Sequence, residues 1–449
     1  MVAVIKSSIS YYDYDTRLRI PEQEKAERLL VERKHFILGF EPGKGKSYPV
    51  IHAIKMVERI KGRPCKVLIL SDADCIKNMW KLEMLPQGIL PHETYFVTDR
   101  TAIGAVQTAL LSKDWDIIIC DECQSLRSGV TRSKSQYSKL VYQLAKKTEY
   151  VWGMTGTLSG NNNMEPFCVM HNLHVAGMGE INCRKFKMQY CNQALKFGPF
   201  GSFMQPVGLN EAGERLMEVA YEEGVMFWPW DDKDDMPECD IREITFNVEA
   251  TREYKNALEG ILKLGEHEST TMKAIALQKA QQALNGFLYY DENGARQIYT
   301  VEGYNNPKIK YVVDQCRIEN NIIAYRFQED GASIKKALDS ANIFYVTKIK
   351  EFKEYLQAGT KVCLIIQCSK GKAVNLQLCQ SIIYYTSDFS FISYKQMIHR
   401  CWRRGQKYAC KVTFLINDPG DKYKVELKIW SSLRTKQTVH DALMSIKCA

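Results

Sequence analysis

The sequence contains no run of about 18 apolar residues, the length that a membrane-spanning helix requires. Residues 1–15 contain no apolar stretch of the kind found in a secretory signal peptide. Internal repeats at solenoid period and low-complexity segments are also absent. We therefore expect a globular, cytoplasmic protein that has no membrane partner.

Neither sign of charge is strongly in excess. The 61 Lys and Arg residues outnumber the 52 Asp and Glu residues, which gives a net charge of +9. Because this excess is spread along the chain, it permits nucleic acid as a partner without requiring it. The length of 449 residues favours two or three domains.

Cysteine is abundant but lacks the spacing of a zinc site. The 15 cysteines are scattered and odd in number. The CxxC pair of Cys120 and Cys123 encloses two acidic residues and has no second pair at zinc spacing. We expect reduced thiols and no structural zinc.

Short apolar runs alternate with helical patterns in both halves of the chain. Residues 48–60, for example, have apolar residues near helical spacing. Such alternation predicts an α/β protein with two parallel sheets, each covered on both faces. The predicted strands are residues 35–40, 66–70, 95–98, 116–120, 150–156, 321–327, 341–347, 361–368, 380–386 and 410–416.

The region between the two sets of strands has a different composition. Residues 206–240 are rich in acidic and aromatic residues, which favours a linker. Residues 250–287 predict a helical insertion, and residues 422–446 predict a C-terminal helix.

Residues 40–47, FEPGKGKS, lie between a predicted strand and a predicted helix. Gly43 and Gly45 would let backbone N–H groups approach phosphates closely. Lys46 would reach the β- and γ-phosphates, and the Ser47 hydroxyl would ligate magnesium. The alternative is a solvated basic turn, since the usual first glycine of a phosphate loop is missing.

Residues 116–124, DIIICDECQ, deliver two acids to the end of a predicted strand. Asp121 is suited to hold magnesium, and Glu122 is suited to orient or deprotonate an attacking water. The alternative is a solvated loop. Together with the glycine-rich segment, however, this pair favours a nucleoside triphosphatase.

A hydroxyl-bearing turn follows the next predicted strand. Thr155, Gly156 and Thr157 would lie beside the nucleotide, and an ordinary polar loop is the alternative. In the second half, Arg400 and Arg403 are three residues apart, which predicts a shared helical face. Presented to a γ-phosphate they would act as arginine fingers, whereas the alternative is a basic surface helix.

The order of these segments resembles the motifs of superfamily 2 helicases and translocases of the Swi/Snf-like type, over roughly residues 17–445. Residues 18–23 look like the Q motif, FEPGKGKS looks like the motif I form that needs no first glycine, and DECQ looks like motif II. The other matching segments are residues 68–83 (motif Ia and its flank), 155–162 (motif III), 368–377 (motif V) and 396–406 (motif VI).

The resemblance implies roles for individual residues. ATP would be bound by Gln23, Glu41, Gly43, Lys44, Gly45, Lys46, Ser47 and Gln396, and Mg²⁺ by Ser47, Asp121 and Glu122. Catalysis would use Lys46, Glu122, Arg400 and Arg403. Gln124, Thr155 and Thr157 would couple ATP hydrolysis to movement along the nucleic acid. DNA contacts would come from Ser71, Asn78, Ser369 and Asn375.

The resemblance also implies an architecture of two tandem RecA-like parallel-sheet domains with an ATP cleft between them, plus a helical insertion. The expected bounds are 1–16 for an N-terminal extension, 17–205 for the first domain, 206–300 for the linker and insertion, and 301–449 for the second domain.

The expected function is that of an ATP-dependent DNA helicase or translocase. The chain most resembles small phage helicases that drive branch migration or fork reversal in replication, recombination or repair. Duplex, forked or four-way-junction DNA would be the partner, and replication or recombination proteins are further candidates. The setting would be a bacterial host cell if the chain is phage-encoded. The alternatives are an RNA-directed motor, a non-catalytic nucleic-acid-binding scaffold, or the motor subunit of a larger complex.

A branch-remodelling enzyme would need a wedge at the strand junction. Candidates are residues 192–240, with the aromatics Phe227, Trp228 and Trp230, and the helical region 250–287. The alternative is that Trp228 and Trp230 pack the linker against a domain.

Overall fold

The strands of the first half build one sheet and a hairpin. The structure is a computed structural model that describes residues 20–77, 80, 93–99, 101–130, 133–159, 162–198, 201–230, 236–263, 270–292, 294–368, 376–403 and 406–444. The chain divides into a first unit, Met1–Ala194, Gln205–Asp231 and Thr438–Ala449, and a second unit, Leu195–Met204 and Asp232–Gln437. The first-half strands are β1 (His35–Phe40), β2 (Val67–Ser71), β3 (Thr94–Thr98), β4 (Ile117–Asp121), β5 (Tyr150–Met154), β6 (Cys191–Gly198), β7 (Gly201–Leu209) and β8 (Val225–Trp228).

Six of these strands form a parallel sheet in the order β3-β2-β4-β5-β1-β8, and β6 pairs with β7. Successive residues of β1 pack on opposite faces: Ile37 lies in one apolar core, while Phe36 and Leu38 lie in the other. The helices are α1 (Pro21–Arg33), α2 (Ser47–Lys61), α3 (Ala73–Cys75), α4 (Ala105–Leu111), α5 (Gln136–Lys147), α6 (Glu165–Asn172), α7 (Cys183–Tyr190) and α8 (Glu211–Gly224).

The second unit has its own parallel sheet, in the order β13-β14-β12-β15-β16-β9, and an antiparallel hairpin of β10 and β11. These strands are β9 (Cys239–Asn247), β10 (Phe287–Glu292), β11 (Ala295–Thr300), β12 (Ile322–Tyr325), β13 (Tyr345–Val346), β14 (Cys363–Gln367), β15 (Ser381–Tyr384) and β16 (Cys410–Asp418). The remaining helices are α9 (Arg252–Lys263), α10 (Thr270–Leu284), α11 (Pro307–Ile318), α12 (Gln328–Ser340), α13 (Ile349–Gln357), α14 (Phe391–Cys401) and α15 (Val425–Met444).

The predicted α/β class with two parallel sheets is confirmed, and a strand occurs in each of the ten predicted segments. The insertion helices α9 and α10 and the C-terminal helix α15 are also present. In the described ranges no helix has the length and apolar character needed to cross a membrane.

Two strands of the sheets were not predicted. β8 and β9 lie in or next to the segment interpreted as a linker, and each adds an edge strand to one sheet. The four residues of β8 are all apolar, but they directly precede an acidic stretch and were assigned to the linker with it. β9 has apolar residues at positions 239, 241, 244 and 246, so its alternation is broken in the middle by Arg242 and Glu243. The predicted domain bounds stay predictions.

Candidate nucleotide-binding site

Residues 41–46 connect the carboxyl end of β1 to the first turn of α2. Gly43 and Gly45 have φ values of 90° and 74°, which glycine adopts readily and other residues rarely do. A Cβ atom on Gly45 would lie 2.9 Å from Nε2 of Gln23. The loop therefore needs glycine at this position both for its backbone conformation and for the close approach of α1.

Two distant segments contact this loop. Nε2 of Gln23 donates a hydrogen bond of 3.4 Å to the carbonyl oxygen of Lys44. A Cβ atom on Gly156 would lie 3.0 Å from Cδ of Pro42, so the turn after β5 approaches the loop closely because residue 156 has no side chain. The predicted Q-motif residue and the predicted hydroxyl-bearing turn thus both meet the loop.

The two lysines of the loop have different surroundings. Nζ of Lys46 donates a hydrogen bond of 3.0 Å to the carbonyl oxygen of Phe40, at the end of β1. Lys44 is only 1% exposed, and its Nζ lies 4.4 Å from the ring centroid of Trp228 and 4.6 Å from that of Trp230. Cation–π attraction to two indoles stabilises a buried ammonium group. A contact of Lys44 with nucleotide stays a prediction.

The aromatic residues of β8 are not exposed. Phe227 and Trp228 are each 8% exposed, and the ring of Trp228 packs edge-on against Phe40 at 5.1 Å. The N–H of Glu41 donates to the carbonyl oxygen of Trp228 at 3.1 Å. The burial of Trp228 agrees with the alternative that it packs against a domain, because β8 is a strand that pairs with β1 beside the loop.

Asp121 ends β4 and lies in a dense set of donors. Its Oδ2 accepts hydrogen bonds from Oγ of Ser71 at 3.1 Å and from Nε1 of Trp80 at 3.0 Å. Its Oδ1 accepts from the N–H of Glu122 at 3.0 Å. Burial raises the pKa of Asp121 to about 6, the charge of Glu122 raises it too, and the Trp80 bond and the Lys46 charge lower it. Lys46 therefore acts electrostatically on Asp121, as expected of two parts of one site.

The sheet order explains this proximity. β5 alone lies between β1 and β4. In a parallel sheet the carboxyl ends of all strands lie on one edge, so the loop after β1 and the acids after β4 share that edge.

Glu122 has an unusual backbone conformation, with φ 51° and ψ 48°. This left-handed region is sparsely populated by residues other than glycine, and such residues cluster at functional sites. Oε2 of Glu122 accepts a hydrogen bond of 2.6 Å from Nε2 of Gln124, which is 5% exposed. The Glu122 side chain is thus held at the end of β4 by the residue predicted to act in coupling.

The turn after β5 is attached to β1. The N–H of Thr155 donates to the carbonyl oxygen of Leu38 at 3.0 Å, and the N–H of Thr157 donates to Oγ1 of Thr155 at 2.9 Å. Both threonines are buried. The coupling role of Thr155 and Thr157 stays a prediction.

The donor set suits magnesium better than a softer metal. In the part of the chain that the structure describes, no three His, Cys, Asp or Glu residues form a cluster that could hold a metal ion. Mg²⁺ prefers one or two carboxylates, with phosphate and water oxygens as its other ligands. The hydroxyl of Ser47 and the carboxylates of Asp121 and Glu122 fit that preference.

Of the four residues predicted to contact DNA, the structure describes only Ser71. Ser71 is 2% exposed, and its hydroxyl donates to Asp121. Its assignment to DNA stays a prediction. Asn78, Ser369 and Asn375 lie outside the described residues.

The arginines of the second unit are not on one helical face. α14 ends at Cys401, and Trp402 has ψ 93°, so Arg403 follows the helix rather than continuing it. The carbonyl oxygen of Arg400 accepts from the N–H of Leu376 at 2.9 Å. Arg400 is 9% exposed and Arg403 is half-buried. The helical-face prediction failed because the spacing of three residues spans the end of a helix.

The backbone N–H of Gln406 donates to the carbonyl oxygen of Arg403 at 3.0 Å, and the Gln406 side chain is held by hydrogen bonds of its own. Its Nε2 donates to the carbonyl oxygens of Gln377 at 2.8 Å and Cys401 at 3.1 Å. Its Oε1 accepts from the N–H groups of Lys407 at 2.9 Å and Tyr408 at 3.2 Å. The predicted ATP-binding residue Gln396 is half-buried on α14.

Sequence reasoning missed three residues of the site: Trp80, Trp228 and Trp230. Trp80 lies within the segment assigned to motif Ia and its flank, but nothing in its local sequence indicates a contact with Asp121. The sequence shows Trp228 and Trp230 on either side of a proline. Their contact with Lys44, however, depends on the pairing of β8 with β1.

No protein-family model matches the sequence, and no curated protein matches it. Among solved structures, the chain is similar to the Sulfolobus solfataricus SWI2/SNF2 ATPase core in complex with dsDNA. The two are 18% identical, with a TM-score of 0.41 over 98% of this chain and 95% of that chain. A similarity at this score and identity assigns no activity to the chain.

Proposed function

We propose that the chain is a DNA-dependent ATP hydrolase of the superfamily 2, Swi/Snf-like type, which tracks along DNA. The observation that carries the proposal is geometric: the loop after β1, which contains Lys46, and the acids Asp121 and Glu122 at the end of β4 lie at one edge of the same parallel sheet. A glycine-bearing loop before a helix and an acid pair one strand away are what a nucleoside triphosphate with magnesium requires.

The first unit would bind the nucleotide. The N–H groups of the loop and Lys46 would hold the phosphates, and Gln23, already bonded to the loop at Lys44, would read the adenine. Ser47 and Asp121 would hold Mg²⁺, which supplies charge neutralisation at the phosphates.

Glu122 would orient or deprotonate the attacking water. Its carboxylate accepts from Gln124, and its strained backbone is fixed by the sheet and by the short 3₁₀ helix that follows. Arg400 and Arg403 would stabilise the charge on the transferring phosphoryl group as arginine fingers. Gln406 would set the position of Arg403 through the turn that it holds.

The DNA partner rests on the resemblance of the motifs, and branch migration or fork reversal is the finer form of the proposal. An RNA-directed motor is the second candidate, and a motor subunit acting with another chain is the third. A non-catalytic scaffold is disfavoured because Lys46, Asp121, Glu122, Arg400 and Arg403 are all present.

The test is ATP hydrolysis by the full chain with no nucleic acid, single strand, plain duplex, RNA, a fork and a four-way junction. We expect stimulation by DNA, strongest with the fork or junction. Lys46→Ala should abolish turnover, while Lys139→Ala, which removes an exposed lysine of α5, should leave it unchanged. Arg403→Ala should remove turnover but keep nucleotide binding.

Each substrate outcome decides between candidates. Equal stimulation by fork and plain duplex would reduce the function to general duplex translocation. Stimulation by RNA alone would replace the DNA proposal, and DNA-independent turnover or none at all would refute it.

A further inference from the structure

The second unit contains a half-open cavity of about 440 Å³, a volume typical of small-ligand pockets. It is lined by α10, the β10–β11 hairpin, and the carboxyl ends of β12 and β14. Three of its lining residues are cationic (Lys279, Arg296 and Arg326), and one is acidic (Asp291). The cavity therefore carries a net positive charge at the carboxyl edge of a parallel sheet, where such folds bind ligands.

Carboxylates lie near two of these cations. Asp291 is the cross-strand partner of Arg296, and burial lowers the pKa of Arg326 while the charges of Asp388 and Asp330 raise it. Within the ranges that the structure describes, Lys279, Arg296 and Arg326 form no ion pair with a carboxylate. Elsewhere in the second unit, Lys308 pairs with Glu426 and Lys411 pairs with Glu319. Three cations around a cavity that has one lining carboxylate, Asp291, leave an excess of positive charge that favours an anionic ligand.

Arg326 is the best-fixed of the three cations. The residue is half-buried, and its Nη1 donates a hydrogen bond of 2.7 Å to Oε1 of Gln281. Gln281 is 1% exposed and is itself held by the carbonyl oxygen of Ser387 at 2.8 Å. Nε2 of Gln367 donates to the carbonyl oxygen of Arg326 at 3.0 Å. A guanidinium group fixed in this way suits a phosphate.

Aromatic rings line the same cavity. Tyr289 lies 5.4 Å below the guanidinium of Arg296, and its hydroxyl accepts from the N–H of Glu329 at 3.0 Å. Tyr290 is 44% exposed and makes no ring contact with another aromatic residue in the described part of the chain. An exposed tyrosine and several cations that line one cavity are the combination that binds a base and its phosphate.

We propose that this cavity binds one nucleotide of a DNA strand, with the phosphate against Arg326, Lys279 and Arg296 and the base against Tyr290. The identity of the polymer rests on the proposed function. Two of the cations, Lys279 and Arg296, belong to α10 and the hairpin. The segment that lies between the two sets of strands in the sequence would therefore contact the DNA strand.

A strand is favoured over a free nucleotide by the opening of the cavity. Lys279, Asp291, Arg296 and Ile275 are exposed, so the cavity opens to solvent along α10 and the hairpin, where a longer strand can continue over the surface. A strand also gains from several weak phosphate contacts along the surface, whereas a single nucleotide gains from one.

The test is binding of a fluorescein-labelled oligothymidylate single strand to the full chain, measured by anisotropy at several salt concentrations. Lys279→Ala/Arg296→Ala removes two exposed charges and should lower the affinity about tenfold or more. The slope of log affinity against log salt should become shallower by about 1.4, since each lost single-strand phosphate contact contributes about 0.7. Tyr290→Ala should lower affinity about tenfold and leave the slope unchanged.

The matched control is Arg317→Ala/Lys336→Ala, which removes two exposed charges from α11 and α12 of the same unit. It should bind like the wild-type chain. Arg326→Gln should also weaken binding, but the exposed pair keeps the test independent of any folding defect at Gln281.

The outcomes separate this proposal from the motor itself. If Lys279→Ala/Arg296→Ala binds like the control while Lys46→Ala still abolishes turnover, the cavity does not bind DNA and the motor proposal stands. Displacement of the strand by thymidine 5′-monophosphate at equal nucleotide concentration would make the cavity a mononucleotide site and overturn the strand assignment. No binding of DNA by the wild-type chain would overturn both.

Discussion

Nε1 of Trp80 lies 3.0 Å from Oδ2 of Asp121 and donates a hydrogen bond to it across 41 residues of sequence. Trp80 is fully buried and Asp121 is 7% exposed. A buried carboxylate needs donors, because burial disfavours its charged form. The bond therefore ties the segment after β2 to the magnesium-binding acid of the proposed site.

The first prediction concerns this bond. Trp80→Phe removes the indole N–H and keeps an aromatic ring. We expect ATP turnover to fall about tenfold, because a hydrogen bond to a charged group contributes roughly 1.5–3 kcal/mol. The apparent affinity for Mg²⁺ should weaken as well, which is measured by titrating Mg²⁺ at saturating ATP.

A matched control is available in β5. Trp152 is also fully buried, and its Nε1 donates at 2.9 Å to the carbonyl oxygen of Leu30, in α1. Trp152→Phe should lower thermal stability to a similar degree but leave the Mg²⁺ dependence of turnover unchanged. Equal loss of Mg²⁺ affinity in both variants would show that Trp80 acts only through packing.

The second prediction separates two roles for Ser71. Its hydroxyl donates to Asp121, whereas the motif resemblance assigns it to DNA. Ser71→Ala should reduce kcat by about tenfold, since one donor to a buried carboxylate is lost. DNA affinity, measured by anisotropy without nucleotide, should stay within twofold of wild type. A selective loss of DNA affinity with normal kcat would assign Ser71 to the DNA contact instead.

The third prediction concerns the ammonium group of Lys44 between two indoles. Trp230→Phe and Trp230→Leu form a graded series, because Trp is the best cation–π partner, Phe is weaker and Leu has no π face. The Lys44 ammonium loses stabilisation in that order, so the loop should hold its shape less well. We expect KM for ATP to rise by a few-fold in Trp230→Phe and about tenfold in Trp230→Leu.

The control for this series is Lys44→Met together with Trp230→Leu. Without the charge there is no cation–π contact left to lose, so Trp230→Leu should have little further effect on KM in the Lys44→Met background. Additive effects of the two substitutions would refute the coupling.

The fourth prediction is a pH dependence of stability from Asp330. Burial raises its pKa from the ordinary 3.8 to about 7, although the N–H of Phe327 and the hydroxyl of Thr386 lower it. The folded protein therefore binds a proton that the unfolded chain releases between these two values. The resulting stabilisation is full below about pH 4 and is lost as the pH rises towards 7, by about 1.4 kcal/mol per pH unit.

Calorimetry of Asp330→Asn checks this sign. The variant should unfold at a lower temperature at pH 5, because Asn can accept only one of the two hydrogen bonds that Asn285 and Phe327 donate to Asp330. Its unfolding temperature should nevertheless change less between pH 5 and pH 7 than that of the wild type. A parallel pH dependence in both proteins would exclude Asp330 as the titrating group.

Some parts of the site were predictable because they depend on local chain geometry. A strand, a loop with glycines and a helix are consecutive in sequence, so FEPGKGKS could be assigned directly, and so could the acids at the end of β4. The turn at Thr155 and Thr157 followed for the same reason. The end of α14 before Arg403 was not predictable from spacing, because two residues three positions apart share one face only if the helix continues through both of them.

Two α/β units, ten of their strands, and the chemical groups at the loop and the acid pair could be derived from the sequence. The three-dimensional fold was needed to show that Ser71 and Trp80 donate to Asp121, that β8 pairs with β1, and that Trp228 and Trp230 lie against Lys44. This difference arises because periodicity and turn residues act over a few neighbouring positions. Hydrogen bonds to a buried carboxylate and the choice of an edge strand depend on which distant segments the packed sheet brings together.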